Sequence, residues 1–321
     1  MTDMTYRQLG DSGLTVSTVG LGCNNIGGRV DKDATRALVD AAIDAGITLF
    51  DTADIYGSQP GLSEDFLGQA LQGRRENIVL ATKFGKPAGG MTRPPHEARG
   101  SRRYIRASIE GSLRRLRTDY IDLYQMHEPD PRTPIEESLD ALDELVHEGK
   151  VRYVGSSQFR SWQVVDADWT ARVAGRARFI STQAQYSLLE RRAETALVPV
   201  CEHLGVGLLP FYPLANGLLT GKYRRDAPPP PGSRLDGGRY AERLATARWD
   251  VIEALRVFAD ERGVTMLDVA IGGLAAQPAV ASVIAGATSP DQVRANARAG
   301  GWAPDATDLV GLDEITGAAD G

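Results

Sequence analysis

An aspartate, a tyrosine, a lysine and a histidine stand at the C-terminal ends of successive strand-like runs. Asp51 lies near the end of ITLFDTA (47–53), with Tyr56 just beyond it. Lys83 closes NIVLATK (77–83), and His127 follows YIDLYQM (120–126). Taken singly, each has an ordinary reading: a loop cap, one of ten tyrosines, a solvated strand end, a structural histidine. Together they describe proton donation. A lysine ending a buried apolar strand needs a partner, and Asp51 is on the neighbouring strand. A phenol with a pKa of about 10 keeps its proton at neutral pH but donates it poorly. A nearby ammonium lowers that pKa, and a carboxylate keeps the ammonium charged. A histidine alongside can hydrogen-bond a carbonyl oxygen. The set is a general acid suited to a carbonyl turning into an alkoxide. It contains no reductant, so a hydride-carrying cofactor is implied.

Other chemistries fit less well. The four histidines, His96, His127, His147 and His203, form no H-x-H or H-E-x-x-H pattern, which leaves a metal hydrolase almost without ligands. There is no G-x-S-x-G turn for a nucleophilic serine. Asp51 and Glu128 are the candidate carboxylate pair for glycoside hydrolysis, but that reading leaves Lys83 unexplained.

These residues need a scaffold that brings strand ends together. Strand-like runs recur at 17–23, 47–53, 77–83, 120–126, 151–157, 178–184, 206–212 and 279–285, several of them nearly continuous in apolar residues, as in strands buried on both faces. Amphipathic helical patterns lie between them, for example at 33–46, 101–116 and 133–149; the first and last end in Gly46 and Gly149. Eight strands each followed by a helix suggest a closed parallel barrel. A doubly wound open sheet is the alternative, weakened because GLGCNNIGG after the first strand lacks the G-x-G-x-x-G spacing. The expectation is an α/β fold: a single (β/α)8 TIM barrel over 1–321, with an N-terminal β-hairpin and long active-face loops. Segments 84–100 and 213–239, rich in Pro and Gly, are those loops; a disordered linker is the other reading for 225–238.

Composition agrees with a globular protein. The 321 residues are 42% hydrophobic and 24% charged, with a net charge of −6, which argues against nucleic acid as the main partner. No uninterrupted apolar stretch reaches membrane-spanning length, and the polar start MTDMTYRQLGDSGL is unlike a signal peptide. Cys23 and Cys201 match no metal or disulfide framework, so a reduced, cytoplasmic protein is expected.

Over essentially its whole length the chain resembles the aldo-keto reductase superfamily, in particular the bacterial branch related to potassium-channel β-subunits. The matching stretches are YRQLGDSGLTVSTVGLG, FDTADIYG (50–57), ATKFG (81–85), DLYQMH (122–127), VRYVGSSQF (151–159), QAQYSLLER (183–191), PLANGLLTGKY (213–223) and IAGATSPDQVRAN (284–296). The resemblance implies a tetrad in which Tyr56 donates the proton, Lys83 tunes it, Asp51 holds Lys83 and His127 orients the carbonyl. It also implies an NADPH that lies across the barrel mouth without a Rossmann domain. Gly22 would border this site. Ser157, Gln158 and Gln183 would hold the nicotinamide carboxamide, with Gln158 in place of the usual Asn. Phe211 would stack on the ring, beside Tyr212 where many members have Ser. Leu214, Asn216, Gly217, Leu218 and Lys222 would pass under the pyrophosphate, and Arg234 would fold over it. Gly286, Ser289, Gln292 and Asn296 would clamp the 2′-phosphate and adenine. Some members carry Lys in place of Gly286 and Arg in place of Gln292; without a charge-assisted Arg a phosphate is held less tightly, so use of NADH is possible here.

Asn24, Ile55, Phe84, Met91 and Trp162 are the substrate-pocket candidates. The expected activity is reduction of small aldehydes or ketones to alcohols. The alternatives are a cofactor-sensing regulatory subunit with slow residual turnover, or a structural barrel, against which the intact tetrad speaks. No oligomeric partner can be named from the sequence.

Overall fold

The computed structural model describes residues 4–86, 97–237 and 242–317; the pocket candidate Met91 lies outside them. The chain opens with an antiparallel hairpin, β1 (Tyr6–Gln8) and β2 (Thr15–Ser17), with Tyr6 opposite Ser17. Eight parallel strands follow: β3 (Val19–Gly22), β4 (Leu49–Asp51), β5 (Val79–Phe84), β6 (Ile121–Met126), β7 (Val151–Ser157), β8 (Phe179–Gln185), β9 (Gly207–Phe211) and β10 (Val283–Gly286). Each pairs with the next in sequence, and β10 returns to pair with β3. The seam between β9 and β10 is closed just before β10, where Leu208 N donates to Ala279 O and Ala281 N donates to Leu208 O, at 2.7 and 3.0 Å. This is a (β/α)8 barrel with an N-terminal hairpin, not an open sheet.

Two of the sequence runs divide between neighbours. In 279–285 the first residues pair with Leu208, and from Val283 onward the strand pairs with β3. In 17–23, Ser17 belongs to the hairpin and the barrel wall begins at Val19. Ser17 Oγ donates to Val19 O at 2.7 Å across the bend.

The barrel is sheathed by α1 (Lys32–Asp44), α2 (Leu62–Ala70), α3 (Arg102–Leu116), α4 (Ile135–His147), α5 (Ser161–Ala174) and α6 (Ala193–Leu204). After β9 come the short α7 (Glu242–Ala245), then α8 (Trp249–Glu261), α9 (Met266–Ala275), α10 (Pro290–Ala299) and α11 (Ala306–Thr316). The sequence marks many of their ends. Asp31 caps α1 by accepting from Ala34 N, Ser101 caps α3, and Thr265 and Asp268 form a reciprocal capping box on α9. Gly46 and Gly149, just past α1 and α4, take positive φ of 78° and 75°, the left-handed turn that glycine adopts without a Cβ penalty.

Strand alternation sorts the side chains into two layers. Leu49, Ala81, Leu123 and Leu209 fill the barrel interior together with Leu9 and Val16 of the hairpin region, all fully buried. Phe50, Leu80 and Tyr124 point the other way, into the helix layer against Leu38, Leu67, Ile109 and Leu142. A further apolar cluster of Leu218, Leu219, Tyr223, Leu235, Ile252, Phe258 and Met266 anchors the segment after β9 onto α8 and α9. Leu235 in this segment is wholly buried and donates its N–H to Tyr223 Oη at 3.2 Å, which fastens this part of the loop onto that cluster, while 225–228 are exposed.

The hairpin thus plugs the N-terminal end of the barrel. Replacing Leu9 by Ala leaves a cavity beneath Leu49 and Leu209. Urea unfolding is expected to show a loss of about 2–5 kcal/mol; a loss under about 1 kcal/mol would mean the plug contributes little.

Candidate active site

Asp51 and Lys83 are inward-facing residues of neighbouring strands β4 and β5. Lys83 Nζ lies 2.7 Å from Asp51 Oδ2, and both side chains are almost completely buried. The same ammonium donates to Thr52 O at 2.9 Å and to Tyr56 Oη at 3.3 Å. Its three N–H groups are therefore all used. The second oxygen of Asp51 accepts from Gln183 Nε2 at 2.6 Å and Gln125 Nε2 at 3.2 Å. This carboxylate is tied to β5, β6 and β8 at once.

Tyr56 sits in the loop after β4, held by its N–H to Ala53 O. Its ring meets His127 edge-on at 5.8 Å between centroids. Burial raises the Tyr56 pKa, and the opposing pull of Lys83 is the smaller effect. The net direction is upward, opposite to the lowering expected from the ammonium alone. Burial works against the charge of Lys83, yet Asp51 and Tyr56 together outweigh it and raise its pKa, so it stays an ammonium. His127 is drawn down to about 2, first by burial and then by Lys83 and Lys86, so the imidazole is neutral at neutral pH. Its Nδ1 is buried with no hydrogen-bond partner.

Above these groups opens a cavity of about 770 Å³, within the range of cofactor sites. Gly22, Ser157, Gln158, Gln183, Phe211, Tyr212, Leu214, Asn216, Gly217, Lys222, Arg234, Gly286, Gln292 and Asn296 all border it, as do Asn24 and Ile55. Three non-glycine residues of its rim have left-handed backbone: Gln158, Tyr212 and Asn216 have φ of 59°, 54° and 59°. Such conformations cost non-glycine residues energy and cluster at functional sites. A strap formed by residues 232–234 crosses the cavity. Arg29 Nη2 donates to Gly232 O and Arg234 Nη2 donates to Asn25 Oδ1, each at 2.9 Å.

The family model described as the Aldo/keto reductase family matches residues 18–315. The chain belongs to that family. The oxidoreductase YrpG of Bacillus subtilis (strain 168) is 40% identical over 304 residues, 91% of this chain and 89% of its own. A probable voltage-gated potassium channel subunit beta of Arabidopsis thaliana is 34% identical, over 97% of this chain and 95% of its own. L-glyceraldehyde 3-phosphate reductase of Escherichia coli (strain K12) is 33% identical, over 92% and 87%. This aldo/keto reductase is thus an oxidoreductase of carbonyl chemistry, in a family that generally uses NAD(P)H.

Four of the expected site residues stand apart from the cavity of this aldo/keto reductase. Phe84 follows the inward-facing Lys83, so it faces outward, fully buried and stacked on Tyr124 with ring centroids 4.8 Å apart. Trp162 is on the solvent face of α5. Leu218 is buried in the cluster under the loop after β9. Ser289 uses its Oγ to cap α10, accepting from Gln292 N at 3.4 Å. Two amides are turned differently from the expectation. Gln183 gives its nitrogen to Asp51, and Gln158 Nε2 donates to His127 O at 3.1 Å and lies 3.4 Å from Glu128 Oε1. Glu128 itself pairs with Lys86 at 2.8 Å. With Asp51 and Glu128 each committed to a lysine, they do not form the paired carboxylates of glycoside hydrolysis.

Gln125, Asn25 and Arg29 escaped the sequence reading. Gln125 left a signal, since a polar residue inside the apolar run YIDLYQM needs a buried partner. Asn25 and Arg29 left none, because the strap they hold begins about two hundred residues away.

The neutral state of His127 is directly measurable. Its imidazole resonances in the folded protein are expected not to titrate between about pH 5 and pH 9. The unfolded chain takes up this proton near pH 6.5, while the folded chain holds off until about 2. This residue therefore draws stability down as pH falls below about 6.5, and His127→Asn should flatten the acid limb of a stability-against-pH curve. A midpoint near 6.5 in the native spectrum would contradict the buried neutral ring.

Proposed function

We propose that this protein reduces aldehydes or ketones to alcohols with NADPH, using Tyr56 as the proton donor. The arrangement at Lys83 carries the reading. Because Lys83 donates to Tyr56 Oη, the phenol oxygen is an acceptor on the lysine side, and its own proton is free to point into the cavity. The raised pKa keeps that proton in place at neutral pH. At His127 a buried N–H without an acceptor is less tolerable than a buried lone pair, which favours the proton on Nε2. His127 can then donate to a substrate oxygen beside Tyr56. Two donors converge on one carbonyl oxygen, and Tyr56 transfers its proton as that oxygen becomes an alkoxide. Lys83, fixed by Asp51, stabilises the phenolate left behind, and Gln125 and Gln183 hold Asp51 in position.

The cavity suits a dinucleotide. Asn216 Oδ1 is buried without a partner at the cavity wall, ready to accept from a ligand. Arg29, Lys222 and Arg234 border the cavity and suit a pyrophosphate, with the strap above it. Ser157, Gln158 and Gln183 offer polar groups to a carboxamide, and Phe211 offers a ring for stacking. When bound, a reduced nicotinamide supplies the hydride. The far end is lined by Gly286, Thr288, Gln292, Ala295 and Asn296, all uncharged. Gln292 Oε1 already accepts from Thr288 N at 2.9 Å. A 2′-phosphate there meets dipoles and no side-chain charge, so NADH remains a usable second cofactor. We place the protein in the cytoplasm on its buried, unpaired cysteines. Among the described residues, no helix is long and apolar enough to cross a membrane.

The channel-subunit relative, matched over 97% of this chain, favours a second reading as a cofactor-sensing subunit with slow turnover. Both readings meet one assay: oxidation of NADPH followed by absorbance with 4-nitrobenzaldehyde as substrate. Tyr56→Phe is expected to lose at least about a hundredfold in kcat while still binding NADPH. Turnover of the unaltered protein no faster than Tyr56→Phe would sink the enzyme reading and leave the sensing one. In the same assay Gln292→Arg is expected to shift preference toward NADPH over NADH by about tenfold; no shift would place the 2′-phosphate away from α10.

A further inference from the structure

Lys86 is a cation on the cavity wall that neither the tetrad nor a pyrophosphate employs. Among the described residues the cavity is lined by four side-chain cations, Arg29, Lys86, Lys222 and Arg234. It has a single carboxylate, Asp51, which is committed to Lys83. Arg29 follows β3, and Lys222 and Arg234 follow β9, on the side of the mouth that the strap crosses. Lys86 follows β5. In the strand order β10-β3-β4-β5-β6-β7-β8-β9, β5 stands four places from β9, directly across the closed barrel. The ammonium therefore lies on the far side from the strap. It is on the side of His127, whose N–H donates to Phe84 O at 2.8 Å.

Its hydrogen bonding leaves capacity for a ligand. Lys83 uses all three of its N–H groups. Lys86 makes one contact, to Glu128 Oε1 at 2.8 Å, and its side chain is 34% exposed. Its other two N–H groups have no protein partner among the described residues. Glu128 is not part of the cavity lining, and the same oxygen lies 3.4 Å from Gln158 Nε2. The carboxylate thus steadies the ammonium from outside the cavity, and a group entering the cavity meets the cation. The field of Lys86 also reaches the reacting centre, since it helps to hold His127 neutral.

We propose that Lys86 selects the substrate: its two remaining N–H groups take the carboxylate of an oxo acid or aldehyde acid whose carbonyl oxygen is held by Tyr56 and His127. This rests on the reductase function proposed above and names its substrate class. Asn24 and Ile55, the other pocket candidates bordering the cavity, are uncharged. Lys86 is therefore the group on this side that tells an acid from its ester. A carboxylate suits it better than a phosphate. Two donors on one ammonium match a monoanion, whereas a phosphate dianion calls for more donors, commonly an arginine fork. A second negative charge would also meet greater repulsion from Glu128.

The test is the ratio of kcat/KM for 2-, 3- and 4-carboxybenzaldehyde to that for the methyl ester of each, with NADPH as reductant. The ratio cancels effects common to acid and ester, and the three isomers sample the reach from carbonyl to ammonium. At least one acid is expected to be preferred by about fivefold or more, the order of one partly exposed ion pair. Lys86→Gln should bring the ratio to about one, and Lys86→Arg should keep it. Glu128→Gln, which retains an acceptor for Lys86 but removes the opposing charge, should raise it. No isomer reaching about fivefold, a preference that survives Lys86→Gln, or 4-formylphenyl phosphate outdoing every carboxylate would overturn the proposal. A binding measurement separates this result from the reductase function. Calorimetric titration of the protein and NADP+ with the corresponding methylbenzoates, which carry no reducible carbonyl, should show the same preference for acid over methyl ester and the same loss in Lys86→Gln. Such discrimination without turnover would defeat the reductase function alone. Turnover of acid and ester alike would defeat the role of Lys86 alone.

Discussion

The buried ion pair between Asp51 and Lys83 is the constraint on which the site depends. Two charges almost wholly withdrawn from water are tolerable only when every donor and acceptor is used. Here they are: three acceptors surround the ammonium, and Gln125 and Gln183 complete the carboxylate. Removing one partner of such a pair generally costs roughly 3–5 kcal/mol, because the other charge is stranded. The barrel supplies the polar partners from four strands, which no single hairpin or helix could do. Tyr56 and His127 take their electrostatic state from this pair. Lys83 anchors the phenol and, with burial, keeps His127 neutral.

Around the pair the molecule is divided by strand alternation. Inward-facing residues build a dry plug from the hairpin upward and end in the charged layer at the mouth. Outward-facing residues weld the strands to the helices. The loops after β7 and β9 then take left-handed backbone at several non-glycine positions. The loop after β9 is held rigidly by a cluster of its own on α8 and α9. Apart from Arg117 at the end of α3, the left-handed non-glycine residues described thus lie in the loops at the mouth, where the cavity needs irregular backbone, and the support is apolar packing beneath them.

Much of this architecture was legible in the sequence. Strand runs show as apolar stretches, helix ends show as caps and glycines, and those signals are local. The tetrad positions were legible because a parallel barrel brings strand ends to one mouth, so position along a strand converts directly into position in space. Phe84 shows the limit. Its neighbour Lys83 faces inward, so the period-2 rule alone removes Phe84 from the cavity, and only knowing which residue faces inward makes that visible. Trp162 shows another limit: its type suits a pocket wall, but the turn of α5 directs it to the surface.

By itself, the sequence determined the eightfold alternation, the family, and the four side chains that meet at the barrel mouth. Those follow from residue type and near-neighbour spacing. Only the tertiary structure decided how these groups share their hydrogen bonds, because the partners come from distant strands: Gln183 on Asp51, Lys83 on Tyr56, Arg234 on Asn25. It also decided the sign of the shift at Tyr56. The ammonium could be read from the sequence, but the burial that outweighs it is a property of the closed barrel mouth.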